Sequence, residues 1–244
     1  MAPPREPLQL NNYQSLLTAF SDFLIVAIHT ILYERGLYPP ETFLLTRAYN
    51  FPVRQNRHPL VCKWIQDAVS AVHDQMFKGT IRRIVLVIYS DRQEVLERFL
   101  FDVERFPVVP EKDAYTEFGV ESGAEGEVKV SRVDVEEQLR ATIRTLAYCG
   151  AKLGVLPEDC TYTLAVELKD NMDPPIGHPQ PWVPSIPSLQ TGEKGSSERI
   201  GSDVGGVKSV PVRSVEAGQF ILESWIEEGK AKHDFRKQAS SADS

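Results

Sequence analysis

The chain has 244 residues, of which 42% are hydrophobic and 25% are charged, and its formal net charge is -7. This composition is typical of a globular protein with one large domain or two small ones. The negative charge and the lack of a long lysine or arginine run argue against direct binding to nucleic acid, whose phosphates require a basic surface.

The cysteines and the most apolar segment indicate where the protein works. Cys62, Cys149 and Cys160 are an odd number at irregular spacing, which disfavours a disulfide framework or a metal site and favours a reducing compartment. The most apolar run, residues 23–33, is too short to cross a bilayer, and the first residues lack the pattern of a signal peptide. We therefore expect a protein of the cytosol or nucleus that binds neither a metal ion nor a membrane.

The first predicted elements are two helices. Apolar residues at steps of three and four predict a first helix that is buried on most sides and ends at Gly36: Leu17, Phe20, Phe23, Leu24, Ala27, Ile28, Ile31 and Leu32. Pro39 and Pro40 then force an extended segment. Asn56 as a cap and Pro59 near the first turn predict a second helix.

A β-hairpin is predicted to follow the second helix. The β-branched run at residues 84–90 is typical of a strand buried on both faces, and the polar turn after it leads into a second arm at residues 95–104. Alternation in that second arm predicts one covered face and one solvent-exposed face. Residues 107–131 are polar and contain glycine, which predicts an exposed, mobile insertion.

The second half of the chain is predicted to contain a third helix and three further strands. Val135, Leu139 and Ile143 mark the helix, and residues 160–168 return to strand alternation. A stretch rich in proline and glycine, residues 170–207, precedes strands at 209–215 and 219–228. This order predicts an α+β fold, with three main helices packed on a mainly antiparallel sheet.

Catalytic motifs are not found in this sequence. No phosphate-binding glycine motif follows a strand. His29 lies in the apolar stripe of the first helix, where we expect a core histidine bonded to a backbone carbonyl. Asp170 and Asp173 lack the spacing of a calcium loop. We predict a protein that is not an enzyme and has no cofactor; an enzyme that uses His58 and Cys62 is the alternative.

Five segments, taken in order, resemble the HORMA domain family, and within it the small accessory subunits of DNA polymerase zeta. They are FLIVAIHTILYERGLYPPETF, YNFPVRQNRHPLVCKWIQDAV, RIVLVIYSDRQEVLERFLFDV, EEQLRATIRTL and CTYTLAVEL. The resemblance implies a flexible N-terminus (1–14), a HORMA domain (15–228) and a disordered tail (229–244). Within the domain it implies a core (15–168) followed by a mobile seatbelt and closing strands (169–228). Insertions of altered composition at about 110–131 and 188–207 depart from the family pattern.

The family's mechanism gives the proline-rich stretch a function. In HORMA proteins the seatbelt passes over a partner's peptide and closes against the sheet. The resemblance implies an adaptor in translesion DNA synthesis, in nucleus and cytoplasm, that captures a proline-containing peptide of the polymerase zeta catalytic subunit. It would bridge this subunit to a scaffold polymerase. HORMA adaptors of the spindle checkpoint, meiotic axes and autophagy remain alternatives.

The resemblance also implies which residues contact the captured peptide. Trp182, in the middle of the proline-rich stretch, would be the apolar anchor of the seatbelt; a loop anchor on the protein's own core is the alternative. Trp64 matches a family position that faces the peptide, although helical spacing alone would place it in the core. Tyr33 and Tyr38 are further candidates for the same contact.

Two further surfaces follow from the resemblance. Ser209, Glu223 and Trp225 match positions that recruit the scaffold polymerase, although Ser209 and Glu223 depart from the residue types expected there. Arg140 matches an arginine through which such domains form homo- or heterodimers; a solvated helix arginine is the alternative. The flexible N-terminus would suit binding by a hexameric ATPase that remodels the protein.

Overall fold

The structure, a computed structural model, describes residues 10, 12–117, 132–170, 172, 175, 182, 208–217, 220–233 and 235. Predictions that concern the first nine residues, most of the proline-rich stretch and the last nine residues therefore lie outside the described residues. The predicted mobility of the seatbelt also concerns residues that are mostly outside the described part of the chain.

The longest helix, α1 (Tyr13–Glu34), forms the centre of the core, as its apolar stripe predicts. It begins at Asn12, whose side chain accepts a hydrogen bond from the Ser15 backbone N–H at 2.8 Å. By length and composition α1 alone among the described helices could cross a membrane, but 61% of that segment is buried inside the domain. This burial is typical of a core helix.

The second helix, α2 (Pro59–Phe77), begins later than Asn56. His58 precedes its first residue and provides no side-chain cap, while Pro59 occupies the first turn, where a missing N–H costs no hydrogen bond. Asn56 instead ends a strand, and its side chain accepts a hydrogen bond from the His58 backbone N–H at 2.8 Å. The predicted cap at Asn56 is therefore wrong.

A two-stranded hairpin between α1 and α2 was not predicted. A 3-10 turn (Pro40–Thr42) leads into β1 (Phe43–Ala48), which pairs with β2 (Phe51–Asn56). Tyr49 and Asn50 join the strands with φ values of 51° and 56°, the left-handed geometry of a two-residue hairpin turn. The apolar alternation that would have predicted β1 is missing, because Leu44 and Leu45 are both exposed.

The main sheet has five strands, all antiparallel. They are β3 (Ile81–Tyr89), β4 (Val95–Asp102), β5 (Thr161–Leu168), β6 (Lys208–Ala217) and β7 (Phe220–Glu228), in the spatial order β5-β3-β4-β7-β6. The α+β fold with an antiparallel sheet is thus confirmed. Because β5 and β6 lie at opposite edges, residues 169–207 connect one edge of the sheet to the other.

Helices α1, α2 and α3 (Arg132–Leu146) cover one face of this sheet. Ile84, Leu86 and Ile88 on β3 point into that core. Val85 and Val87 are buried on the opposite face, where they form a small apolar cluster with Leu100. The prediction that β3 is buried on both faces is confirmed, whereas the face of β4 predicted to be solvent-exposed buries Leu100.

The segment after β4 begins as part of the core. Phe106 is buried, and its ring centroid lies 3.9 Å from that of Phe220 on β7. The Gln14 backbone N–H donates to the Ala114 carbonyl at 3.1 Å, which ties this segment to the start of α1. The predicted mobile insertion is therefore wrong for its first residues, and residues 118–131 lie outside the described part of the chain.

The chain remains ordered beyond β7. Residues 230–233 are helical, and Lys232 is buried against Glu97 on β4, with Glu228 at 2.8 Å. Arg35, at the end of α1, makes two hydrogen bonds of 2.7 Å to the same Glu97 carboxylate. The predicted start of a disordered tail at residue 229 is therefore too early. We call Arg35, Glu97, Glu228 and Lys232 the buried charge cluster.

Candidate functional site

An open pocket of about 480 Å³ lies where α2 meets the start of β5. The 3-10 turn, the end of β2, the first turns of α2 and the start of β5 supply its walls. Its lining residues are Tyr38, Thr42, Asn56, His58, Leu60, Val61, Trp64, Thr161 and Tyr162. We call this cavity the α2–β5 pocket.

Three aromatic side chains meet in this pocket. The Trp64 ring lies perpendicular to that of Tyr162, with 5.1 Å between centroids. The hydroxyls of Tyr38 and Tyr162 are 3.1 Å apart, and burial together with this hydrogen bond raises the pKa of Tyr162. Trp64 is 37% exposed, which is high for a core aromatic and leaves a face of its ring open to the pocket.

Tyr162 is a site residue that the sequence analysis missed. It lies in the run CTYTLAVEL, whose alternation predicts a strand but gives no reason to single out one tyrosine. Only the pairing of β5 beside β3 brings Tyr162 to the side of α2. The hydrogen bond with Tyr38, 124 residues away along the chain, could not be predicted from local pattern.

Strand β5 leaves one edge of the sheet open beside this pocket. Within the described residues β5 pairs only with β3, in a register that places Thr161 opposite Tyr89 and Leu168 opposite Ile81. The outward N–H and C=O groups of such an edge can pair with an added extended strand. A peptide paired with β5 would therefore end beside Trp64 and Tyr162.

Tyr33 lies outside the α2–β5 pocket. Its ring packs against Phe43 at 5.2 Å between centroids, and the Arg54 guanidinium lies over it at 5.1 Å. The structure thus brings Trp64 and Tyr38 together, while Tyr33 joins α1 to the β1–β2 hairpin.

Trp182 is half-buried and packs against the core on the helical side of the sheet. Its indole Nε1 is buried and has no hydrogen-bond acceptor among the residues that the structure describes. A buried N–H without an acceptor costs about 1–3 kcal/mol, so this side chain is incompletely satisfied. Ring packing agrees with a loop anchor, whereas the unpaired donor agrees with a ligand that supplies an acceptor.

The predicted second partner surface lies on the outer face of the sheet. Trp225 on β7 lies opposite Leu100 and Pro211, and β7 is an inner strand rather than an edge. Glu223 shares this face of β7, and Ser209 on β6 is exposed and lies opposite Glu227. The structure therefore brings Ser209, Glu223 and Trp225 to one face.

Trp225 is held in place on that face by polar contacts. Its Nε1 donates to Glu227 at 2.9 Å, and the Arg83 guanidinium lies 5.5 Å from its ring centroid. Arg83 is in turn bonded to Asp102 at 2.8 Å and Glu167 at 3.1 Å. The indole is therefore fixed in orientation with part of its surface exposed.

Arg140 lies on α3, away from both sites. Its side chain is 31% exposed and forms an ion pair with Glu137 one turn earlier, while its Nε is buried with no acceptor in the described part of the chain. A buried donor without an acceptor on a partly exposed arginine leaves hydrogen-bonding capacity that the described residues do not use.

Two of the residues considered for catalysis, His29 and Cys62, form hydrogen bonds with the backbone. His29 is buried, and its Nδ1 accepts a hydrogen bond from the Asn56 backbone N–H at 3.3 Å, so its partner is an amide rather than the expected carbonyl. The Cys62 thiol donates to the Asn56 carbonyl at 2.9 Å. Within the described part of the chain, no three side chains of histidine, cysteine, aspartate or glutamate are grouped to hold a metal ion.

Comparison with known proteins gives consistent matches across the chain. A model of the HORMA domain family matches residues 17–218. The DNA polymerase zeta processivity subunit of Schizosaccharomyces pombe is 30% identical over 208 residues, which cover 85% of this chain and 90% of that protein. The mitotic spindle assembly checkpoint protein MAD2B of Homo sapiens is 30% identical over 161 residues, covering 66% of this chain and 69% of MAD2B.

Solved structures share the fold. A chain in the crystal structure of the mitotic checkpoint complex has a TM-score of 0.64 at 23% identity, over 87% of this chain and 98% of that one. HTP-2 of C. elegans, bound to closure motif 1 of HTP-3, has a TM-score of 0.58 at 15% identity, over 91% of this chain and 89% of that one. At these identities the likeness concerns the fold alone.

Proposed function

This chain belongs to the HORMA domain family, and on that premise we propose that it is a non-catalytic adaptor of DNA polymerase zeta. It captures a proline-containing peptide of the catalytic subunit under its seatbelt and bridges it to a scaffold polymerase in translesion synthesis, in nucleus and cytoplasm. The similarity to the Schizosaccharomyces pombe processivity subunit over 85% of the chain supports this pathway.

The observation that carries peptide capture is the open edge of β5 beside the α2–β5 pocket. Strand addition supplies affinity through backbone hydrogen bonds, and pockets beside the edge supply specificity through side chains. Proline has no N–H, so a proline in the ligand would follow the paired segment and enter the pocket. There its ring would contact Trp64 and the tyrosine pair of Tyr38 and Tyr162.

The connectivity supports a seatbelt. The chain leaves the sheet at the end of β5, on the open edge, and returns at β6, on the opposite edge. Residues 169–207 therefore must cross from one edge to the other, and Trp182 lies within that crossing. We assign Trp182 to hold the crossing segment over the ligand, with the unpaired Nε1 as a donor to a peptide carbonyl; Tyr33 supports the hairpin that borders the pocket.

The other predicted surfaces are assigned on the same basis. Trp225, with Ser209 and Glu223 beside it, would bind the scaffold polymerase, because tryptophan is among the residues enriched in interface hot spots. Arg140 would serve dimerisation with a second HORMA domain through α3. A hexameric ATPase that remodels the closed form would grip the N-terminal residues, which lie outside the described part of the chain.

Affinity purification with mass spectrometry tests this function. The wild-type chain should recover the polymerase zeta catalytic subunit, and Trp64→Ala should lose it. Tyr115→Ala, which removes an aromatic ring that is 71% exposed, is the matched control and should retain the partner. Recovery of a checkpoint, meiotic-axis or autophagy protein with no polymerase subunit would assign the chain to the alternative pathway.

A further inference from the structure

The stretch of chain that supplies most of the α2–β5 pocket is basic, although the net charge of the whole chain is -7. Residues 42–66 contain Arg47, Arg54, Arg57 and Lys63 and no aspartate or glutamate. Six of the nine residues that line the pocket come from this stretch. The charge of this stretch is therefore opposite in sign to that of the whole chain.

Arg57 adjoins residues of the pocket walls on both sides along the chain. It is exposed and lies between the lining residues Asn56 and His58, and its backbone N–H donates to the carbonyl of Thr42, a third lining residue, at 2.9 Å. It forms no ion pair with a carboxylate in the described residues. Its charge is thus available to a ligand.

The other three cations differ in availability. Lys63 is paired with Asp67 at 2.7 Å, and Arg47 lies opposite Pro52 at the far end of the hairpin. Arg54 lies over the Tyr33 ring, with no carboxylate partner in the part of the chain that the structure describes. Arg54 is therefore held in position three residues before Arg57.

Acidic residues flank the basic stretch in the sequence. Glu41 precedes it and Asp67 follows it, and Asp67 is paired with Lys63. Within the described residues neither acid forms an ion pair with Arg54 or Arg57. Glu158 and Asp159, in the loop before β5, line a different cavity together with Arg35. The lining of the α2–β5 pocket, as far as the structure describes it, contains no lysine, arginine, aspartate or glutamate, so Arg57 is an exposed cation beside an uncharged pocket.

We propose that the captured peptide carries an aspartate or glutamate next to its proline-containing segment, and that Arg57 binds this carboxylate. The inference rests on the proposed function, because it concerns the ligand of the same site. The guanidinium forks match carboxylate geometry, and the positive end of the α2 dipole at Pro59 adds a field of the same sign. Arg57 is therefore a specificity-determining residue.

Overlapping peptides tiled across the polymerase zeta catalytic subunit of the same species provide the probe. The tightest binder is remade with each acid changed to its amide, and both forms are titrated against wild type and Arg57→Gln. We expect the tightest binder to contain an acidic residue next to its prolines. Either the change of this acid to its amide or Arg57→Gln should lower affinity about two- to fivefold, as for exposed ion pairs. The two changes together should cost no more than one of them.

Arg82→Gln is the matched control. Arg82 is also partly exposed, but it pairs with Glu104 and lies seven residues along β3 from the position opposite Thr161, roughly 23 Å at 3.3 Å per residue. It should bind both peptides like wild type. Raising the salt concentration should weaken the acidic peptide and leave the amide peptide unchanged.

The possible outcomes separate the two proposals. If a tiled peptide binds but neither Arg57→Gln nor the amide form loses affinity, acid recognition is wrong and peptide capture stands. Tighter binding by Arg57→Gln would also overturn the inference, since the site would then disfavour an acid. Failure of every tiled peptide to bind would remove the proposed function and this inference with it.

Discussion

Lys232→Met should destabilise the domain although Lys232 is not one of the predicted site residues. The Lys232 side chain is 1% exposed, and its ammonium contacts Glu97, Glu228 at 2.8 Å and the Leu153 carbonyl at 2.6 Å. Removing one partner of a buried ion pair costs about 3–5 kcal/mol. Arg35 still neutralises Glu97 in the variant, so we expect the lower end of that range, about 3 kcal/mol.

The cluster can be divided into two neutral pairs, Arg35 with Glu97 and Lys232 with Glu228. Lys232→Met removes the buried cation next to the Glu228 carboxylate, which keeps the half-exposed Lys208 at 3.3 Å. Changing Glu228→Gln as well removes a whole neutral pair. We therefore expect the double variant to lose only about 1–2 kcal/mol, less than either single variant.

Urea unfolding measures these differences. With a slope of roughly 2–3 kcal/mol/M for a chain of this size, Lys232→Met should lower the midpoint by about 1–1.5 M. Lys230→Met, an exposed lysine in the same helical turn, is the control and should unfold like wild type. If the double variant loses the sum of the two single losses, the four charges are not coupled and the reasoning is refuted.

Three further measurements test the proposed sites and the core. Trp182→Ala should speed peptide dissociation about a hundredfold through lost aromatic burial of roughly 3 kcal/mol, with a smaller effect on the stability of the peptide-free protein. Trp64→Ala should lower both peptide affinity and stability. An unchanged dissociation rate in Trp182→Ala would mean that Trp182 is only a loop anchor. Arg140→Ala should weaken self-association in sedimentation without affecting the fold, and a wild type that stays monomeric at high concentration would rule out that role. Burial lowers the pKa of His29 to about 4, so the unfolded state takes up the proton first, and stability should fall by about 2 kcal/mol from pH 7 to pH 5 in urea titrations. His29→Asn, which keeps an acceptor for the Asn56 N–H, should remove this dependence on pH; a wild type equally stable at both values would contradict it.

The fold could be predicted because its main elements have strong local patterns. The stripe of α1 and the β-branched run of β3 each identify an element by composition and period alone. The β1–β2 hairpin has no such pattern, since Leu44 and Leu45 face solvent on adjacent positions. The helical turn after β7 was not predicted, for another reason. In the sequence Lys232 is typical of a surface residue, and only the fold brings Glu97 next to it.

The candidate site was predicted in part. Trp64 and Tyr38 were identified through the family resemblance, and both line the α2–β5 pocket. Tyr162 was missed, because its role depends on a contact between segments far apart in sequence. Arg57 was missed as well, since an arginine before a helix is ordinary unless the pocket beside it is known.

The pairing of β7 with β4 has a consequence for how the chain folds during synthesis. In register, Glu97 lies opposite Glu228, so this pairing joins residues more than half the chain apart. Helices α1 to α3 and strands β3 to β5 have all been synthesised once the chain reaches Leu168. Until β7 follows, one edge of β4, the strand that carries Phe99 and Phe101, has no paired strand. Such edges are starting points for aggregation, and long-range strand pairs form slowly. The nascent chain is therefore most vulnerable between the emergence of β5 and that of β7, an interval set by the length of the crossing segment.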